Sequence, residues 1–276
     1  MFKKLFSKQQ PVSEPESKKT ITKPKISAER IGDLGEYKIT IQLDQLPKEC
    51  HSISDLMLPN SKSKTGYSQI DHIILSPYAI FVIETKNYAG TIYADSERPK
   101  WSVNGKFPLM NPFHQNYGHI KSIHTLIPNV EISHFVSIVS FTRRSTFKVN
   151  EELRKIQSNE LIVYDTELSE FITRKINVLK LTTKSPLFPK EQITDMFNLL
   201  TKENILDLQI RAKHVENIKA SVLREGKKLQ TSSEAVCFIC GDGVSAKVSK
   251  FCLSNEKRFK GNVYCYEHQK REHVEV

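Results

Sequence analysis

No apolar run in the 276-residue chain approaches the ~20 residues that a membrane-spanning helix needs, so the expectation is a soluble protein. The basic opening MFKKLFSKQQ leads into no apolar stretch and reads as a solvated tail rather than a secretory signal. Internal repeats are missing, and low complexity is confined to residues 1–27. Cysteine is scarce: there are five, and two of them form a CxxC at Cys237 and Cys240. Without an export signal, that spacing reads as metal binding rather than as disulfides, and a cytoplasmic, reducing location is expected.

What the chain does contain is an ordinary globular balance, 38% hydrophobic and 26% charged residues. Its length fits one sizeable core plus a smaller appendage. The net charge of +10 suits a polyanionic partner such as nucleic acid. Residues 1–30 hold eight Lys or Arg and three Glu, so half of that excess lies near the start of the chain.

Residues 1–27, rich in Lys, Ser, Pro and Gln, have the composition of a disordered basic leader. A helix is expected from Ser27, with Glu36, Ile39, Leu43 and Leu46 on one stripe. Strands follow at 51–59, 67–76 and 78–86, and the segment TIYADSERPKWSVNG is expected to return along the edge of the same sheet. Asn111 caps the next helix with Pro112 in its first turn, and Ile120, Ile123, Leu126 and Ile127 form its apolar face. HFVSIVSF and 161–165 are further strands, and helices are expected at 166–179 and 189–204. Strands on both sides of a helix give a mixed α/β layer. Residues 28–204 are thus expected to form the main domain, 205–234 a charged helical linker, and 235–276 a small cysteine-rich module.

The stretch YSQIDHIILSPYAIFVIETKNYAG, residues 67–90, places Asp71, Glu84 and Lys86 among apolar strand residues, although buried charges are costly unless paired or bound to a metal. Side chains alternate along a strand, so Ile80, Val82, Glu84 and Lys86 share one face and Phe81, Ile83 and Thr85 the other. A tight turn at Ser76-Pro77 sets Asp71 beside them. Two adjacent carboxylates repel unless a cation separates them, and Mg²⁺ suits such a pair together with a substrate phosphate. A lysine beside the ion would orient or deprotonate water, or stabilise the transition state. An Asp–Lys–Glu salt-bridge cluster on an exposed sheet face accounts for the same spacing.

The segment QIDHIILSPYAIFVIETKNYAGTI, preceded by GDLGEYKI and followed by KWSVNG and NPFHQNYGHI, resembles the nuclease-related domain (NERD) family over approximately residues 30–145. That family is placed with the PD-(D/E)XK, restriction-endonuclease-like nucleases. The resemblance implies an α-β-β-β-α-β core with a catalytic Asp on the second strand and E-x-K on the third, positions held by Asp71, Glu84 and Lys86. It also implies that Glu36 helps hold the metal and that Gln115 contacts substrate or metal-bound water. Glu36 reads equally as a first-turn acid favoured by the helix dipole, and Gln115 as a surface amide. His72 points to the opposite face and reads as structural. Tyr88 and Trp101 read as core, while His114 and His119 lie within reach of phosphate without an assigned role.

Cys237-x₂-Cys240 and Cys265-x₂-His268 supply two pairs of ligands, each able to grip one ion from a single turn, enough for a tetrahedral Zn²⁺ site. The spacing between pairs is 24 residues, that of a ribbon or treble-clef-like module. Cys252 shares a helical face with Val244, Val248 and Phe251 and is expected to be buried, with ligation as the alternative. Cys50 stands alone as a structural thiol. KRFKGN at 257–262 offers three basic residues and Phe259 to a nucleic-acid backbone, or is a solvated basic loop.

The expected function is Mg²⁺- or Mn²⁺-dependent hydrolysis of phosphodiester bonds, most naturally in DNA and serving repair, processing or defence. Asp71, Glu84 and the backbone carbonyl of Thr85 would bind the ion, and Lys86 would act on water. The competing expectation is a non-catalytic nucleic-acid- or protein-binding scaffold that retains the fold. An assay with Mg²⁺, Mn²⁺ and EDTA separates the two.

Overall fold

The computed structural model describes residues 28–231 and 235–271; within its helices, the side chains of residues 28–34, 36, 222–231 and 271 are outside the description. The leader and the end of the module therefore lie outside the described residues. The chain runs through α1 (Ala28–Leu43), β1 (His51–Pro59), β2 (Tyr67–Leu75), β3 (Ile80–Lys86), β4 (Gly90–Ala94), β5 (Lys100–Val103), β6 (Phe107–Met110), α2 (Pro112–Leu126) and β7 (Phe135–Phe141). Then come β8 (Ser145–Val149), β9 (Glu160–Tyr164), α3 (Leu168–Thr182), α4 (Lys190–Lys202) and α5 (Leu208–Thr231). The small module holds β10 (Ala235–Val236), β11 (Gly243–Val244), α6 (Ala246–Ser254), α7 (Glu256–Phe259) and α8 (Tyr266–Arg271).

The main sheet is mixed, in the order β1-β2-β3-β7-β9, with β1, β2 and β3 antiparallel and β7 and β9 parallel to β3. This is the α-β-β-β-α-β order expected of the core, with helices on both faces. Alternation along β3 decides which side chain meets which layer. Ile80 and Val82 pack with Ile120 and Ile123 of α2 and Ile193, Met196 and Leu200 of α4. Phe81 and Ile83 pack with Ile39 and Leu43 of α1 and Phe171 and Ile172 of α3. β3 and β7 are buried on both faces, as interior parallel neighbours are.

The segment after β3 departs from the expected edge strand. It forms a second sheet, β6-β5-β4-β8, in which β4 pairs in parallel with β8. The parallel partners β3 and β7 each break after their last residue, at 87–89 and 142–144, and resume as β4 and β8. Gly90 makes the turn possible: its φ is +106°, and a Cβ there would collide with the Asn104 side chain. Trp101, Leu109 and Phe113 join Phe141 and Ile162 in a third core beneath this sheet.

Asn111 caps α2 as expected, accepting from the Phe113 amide at 3.0 Å, with Pro112 next in line. Asn116, buried within the helix, donates to the Val82 and Ile138 carbonyls (3.1 Å each) and to Ser137 Oγ (2.9 Å), so it ties α2 across β3 and β7.

The stretch expected to be a linker is helical and docked at its start. The Arg211 guanidinium binds Asp55 Oδ2 at 2.6 Å, the Asp55 carbonyl, the Ile205 carbonyl and Asn204 Oδ1. His214 is buried with its ring edge-on to Tyr67. Among the described residues no helix is long and apolar enough to cross a membrane.

Candidate functional site

The β2–β3 ladder ends at His72↔Ile83, so the next position outward sets Asp71 opposite Glu84. On its other side, Asp71 faces Asp55, whose φ of +53° takes it out of the β1–β2 register. The sheet is thus open around Asp71 on both flanks. With the ladder gone, the Asp71 carboxylate takes over as acceptor: Oδ2 receives the Thr85 amide at 2.7 Å and the Thr85 hydroxyl at 2.6 Å.

Glu84 is 3% exposed, at the α2 face of the sheet. Lys86 Nζ contacts its Oε1 and donates to Gln115 Oε1 at 3.2 Å. His119 Nε2 stands 3.5 Å from Oε2, an ion-pair distance without hydrogen-bond alignment, and Oε2 has no hydrogen-bond partner. Gln115 and His119 lie four residues apart on α2 and therefore on one face of the helix. Asp71, Glu84, Lys86 and Gln115 are brought together as the sequence suggests. His119 is the residue that sequence reasoning left without a role; its spacing from Gln115 was the available signal.

The electrostatics record the crowding. Burial, followed by the charge of Glu84, pushes the Asp71 carboxyl up to about 6 despite the bonds from Thr85 and the nearby Lys86. Burial opposes the charge of Glu84 too, but His119 and Lys86 outweigh it and hold that carboxyl below the usual range. The two acids are driven apart in acidity, and the cation beside them sides with Glu84.

His72 lies on the opposite face, bonded through Nδ1 to Ser54 Oγ at 2.8 Å, and burial drives its ring down to about 4. It is a neutral structural histidine, as expected from its parity. Trp101 is buried and donates Nε1–H to the Asp95 carbonyl. Tyr88, expected in the core, is instead exposed, as is His114. Glu36 is on α1, one residue from Gly35, and its side chain lies outside the described residues. Cys50 is pushed up to about 12 by burial and the neighbouring Glu49 charge, an unreactive thiol.

In the small module the ligand atoms of Cys237, Cys240, Cys265 and His268 lie within 4.8 Å of one another. His268 Nδ1 is 3.2 Å from Cys265 Sγ and 3.5 Å from Cys237 Sγ. Burial opposes a thiolate at Cys237, but the amides of Cys240, Cys265 and Ile239 converge on its sulfur and draw it down to about 6. The Asp242 amide favours a thiolate at Cys240, yet the Asp242 carboxylate, burial and the neighbouring sulfurs push it up to about 12. Three sulfurs so close cannot all carry charge without a cation, and a Cys₃His set at this spacing fits a tetrahedral ion such as Zn²⁺.

Gly241 turns the first pair with φ +72°. Cys252 is fully buried, its sulfur receiving the Tyr264 amide, and stands outside the ligand group. Two details differ from expectation. Phe251 is half exposed, leaving the buried face to Val244 and Cys252, and Phe259 of KRFKGN is fully buried in the module core, unable to reach a nucleic acid.

A mixed sheet flanked by helices, with two acids and a lysine at the break between β3 and β4, beside a chain segment carrying a Cys₃His cluster, defines a nuclease-related α/β protein. The chain belongs to the nuclease-related domain family, whose match spans residues 31–142. It is 30% identical over 191 residues to pXO1-01, an uncharacterized protein of Bacillus anthracis, covering 67% of this chain and 82% of that one. Among solved structures, SfsA of Pyrococcus furiosus in complex with Ca²⁺ matches at 16% identity with a TM-score of 0.23. That match covers 55% of this chain and spans about half (54%) of SfsA.

Proposed function

We propose that the protein is a metal-dependent nuclease that hydrolyses phosphodiester bonds in DNA. The observation that carries this reading is the placement of Asp71 opposite Glu84 on neighbouring strands, with Lys86 in contact with Glu84. The donor set suits a divalent cation. Asp71 has an acidity shifted to about 6 by burial and by its neighbour, and Glu84 has a buried oxygen with no hydrogen-bond partner. Asp71, Glu84 and the Thr85 carbonyl would hold Mg²⁺ or Mn²⁺, which supplies Lewis-acid stabilisation of the phosphate and a lowered pKa for water.

The chain's own groups account for the rest. Lys86, aimed by Glu84 and Gln115, orients the attacking water and offers positive charge to the phosphoryl oxygens as charge accumulates there. Hydrolysis adds water across one P–O bond, giving a phosphate monoester and a hydroxyl. Gln115 positions the Lys86 ammonium, and His119 fixes Glu84 from the far side. Glu36 is assigned as an auxiliary acid of the same site, on the family resemblance. Residues 28–204 form the nuclease domain, and residues 235–276 form the zinc module, which helps hold the nucleic acid. A cytoplasmic location goes with this reading.

Incubation of the purified protein with plasmid and with single-stranded DNA tests the proposal. Cleavage is expected with Mg²⁺ or Mn²⁺, not with EDTA, and Lys86→Ala should lower the rate at least ~100-fold. Inertness on every substrate with either metal would instead support a scaffold that retains the fold.

A further inference from the structure

Beside the carboxylates lies a cavity of about 830 Å³, several times larger than the space on the α1 side of β3. It opens onto Asp71, Gln115 and His119 and runs away from them between three walls: the β1–β2 turn, the exposed face of α2, and α5. Its floor is fixed by hydrogen bonds from Asn60 Nδ2 to Ser68 Oγ (2.8 Å) and between Ser68 and Ser122 hydroxyls (3.0 Å). Its third wall is held by Arg211, which clamps the start of α5 onto Asp55, and by His214 against Tyr67.

The chemistry of this cleft is lopsided. Lys62, Lys64 and Lys121 line it, and Asp71, at the catalytic end, is the one acidic side chain among its described lining residues. Tyr117 is 56% exposed at the cleft, with Lys121 Nζ 5.3 Å over its ring. Lysines that track a phosphate backbone, interleaved with an exposed aromatic face, form the pattern by which proteins bind single strands without reading sequence. The volume lies in the range that holds one ligand of modest size. Walls contributed by the β1–β2 turn and α5 as well as by α2 suit a flexible strand better than a stiff double helix.

We propose that this cleft binds a single-stranded segment of nucleic acid adjoining the scissile phosphate, with Lys62 and Lys121 on the backbone and Tyr117 stacked on a base. The helix α5 is then a wall of the binding site rather than only a connection to the zinc module. This deepens the nuclease reading and rests on it for the position of the cut, but the binding itself can be measured without cleavage.

Fluorescence anisotropy of the full-length, zinc-loaded protein, in Ca²⁺ without Mg²⁺ or Mn²⁺, would compare a labelled single-stranded oligonucleotide with the same sequence as blunt duplex. The single strand should bind at least about tenfold tighter. Tyr117→Ala should weaken it about tenfold. Lys62→Gln with Lys121→Gln should reduce the salt dependence of its affinity by roughly 0.7 in log–log slope per phosphate contact removed. All three positions are exposed, so these variants should melt as the parent does. Equal or tighter binding of the blunt duplex, an unchanged salt slope in the double variant, or no binding of either oligonucleotide overturns the proposal. A protein that binds single strands through these residues but never cuts them refutes the nuclease reading and leaves this one standing; one that cuts while ignoring the substitutions does the reverse.

Discussion

At Asp71 a single carboxylate carries two opposing demands. It replaces the missing ladder acceptor for Thr85, and it faces Glu84, whose charge the nearby Lys86 offsets only in part. Its folded-state pKa of about 6 stands above the ordinary 3.8. At this site the folded protein therefore binds the proton more tightly than the unfolded chain does, and the contribution of Asp71 to metal-free stability falls as pH rises through that window, by on the order of 3 kcal/mol at full effect, against the opposite contributions of His72 and Glu84. Asp71→Asn can still accept from Thr85 and never ionises. Urea unfolding without divalent ions should find it equal to the parent near pH 4 and more stable at pH 7.5. Mg²⁺ should recover stability in the parent and not in the variant. The three charges were legible in the sequence because strand alternation is a local rule. The Thr85 bonds and the His119 contact were not, because both depend on where the ladder ends and where α2 lands.

For the elements, α2 positions Gln115 and His119, and Asn116 positions α2. Asn116→Ala removes the bonds to Val82, Ile138 and Ser137 and should cost about 2 kcal/mol in denaturant unfolding. A variant within a few tenths of the parent would mean that apolar packing alone seats the helix. The capping of α2 by Asn111 and Pro112 could be read from four consecutive residues. The second sheet could not: TIYADSERPKWSVNG has strand character, but β4 takes its parallel partner β8 from more than fifty residues further on, a pairing that propensity does not encode. The start of α5 escaped for a similar reason. Its anchor is one Arg211 reaching a bent Asp55 far back in the chain, and no apolar stripe announces it.

Over the whole molecule, two bodies of very different size follow two sources of stability. The α/β body rests on three extended apolar cores. Among its described residues the module's buried core is Cys237, Val244, Cys252, Phe259 and Tyr264, too small to fold without a staple. Stripping zinc with a strong chelator should therefore release amide protection across residues 235–271 in hydrogen exchange and leave β3 and β7 protected; loss of protection in both would show that the two fold as one unit. The paired ligands were readable at the outset, since a two-residue spacing is local. The burial of Phe259 was hidden because it depends on how α7 packs against Tyr264.

The most direct measurement is calorimetric titration of Mn²⁺ into the zinc-loaded protein and into its Asp71→Asn variant, at pH 7.5 and at pH 5. If the two acids share a divalent ion, the parent binds one Mn²⁺ per chain at pH 7.5 and binds it at least several-fold more weakly at pH 5, where Asp71 is largely protonated, and the variant loses that site. Binding that is the same in parent and variant, or that does not weaken on acidification, would contradict it.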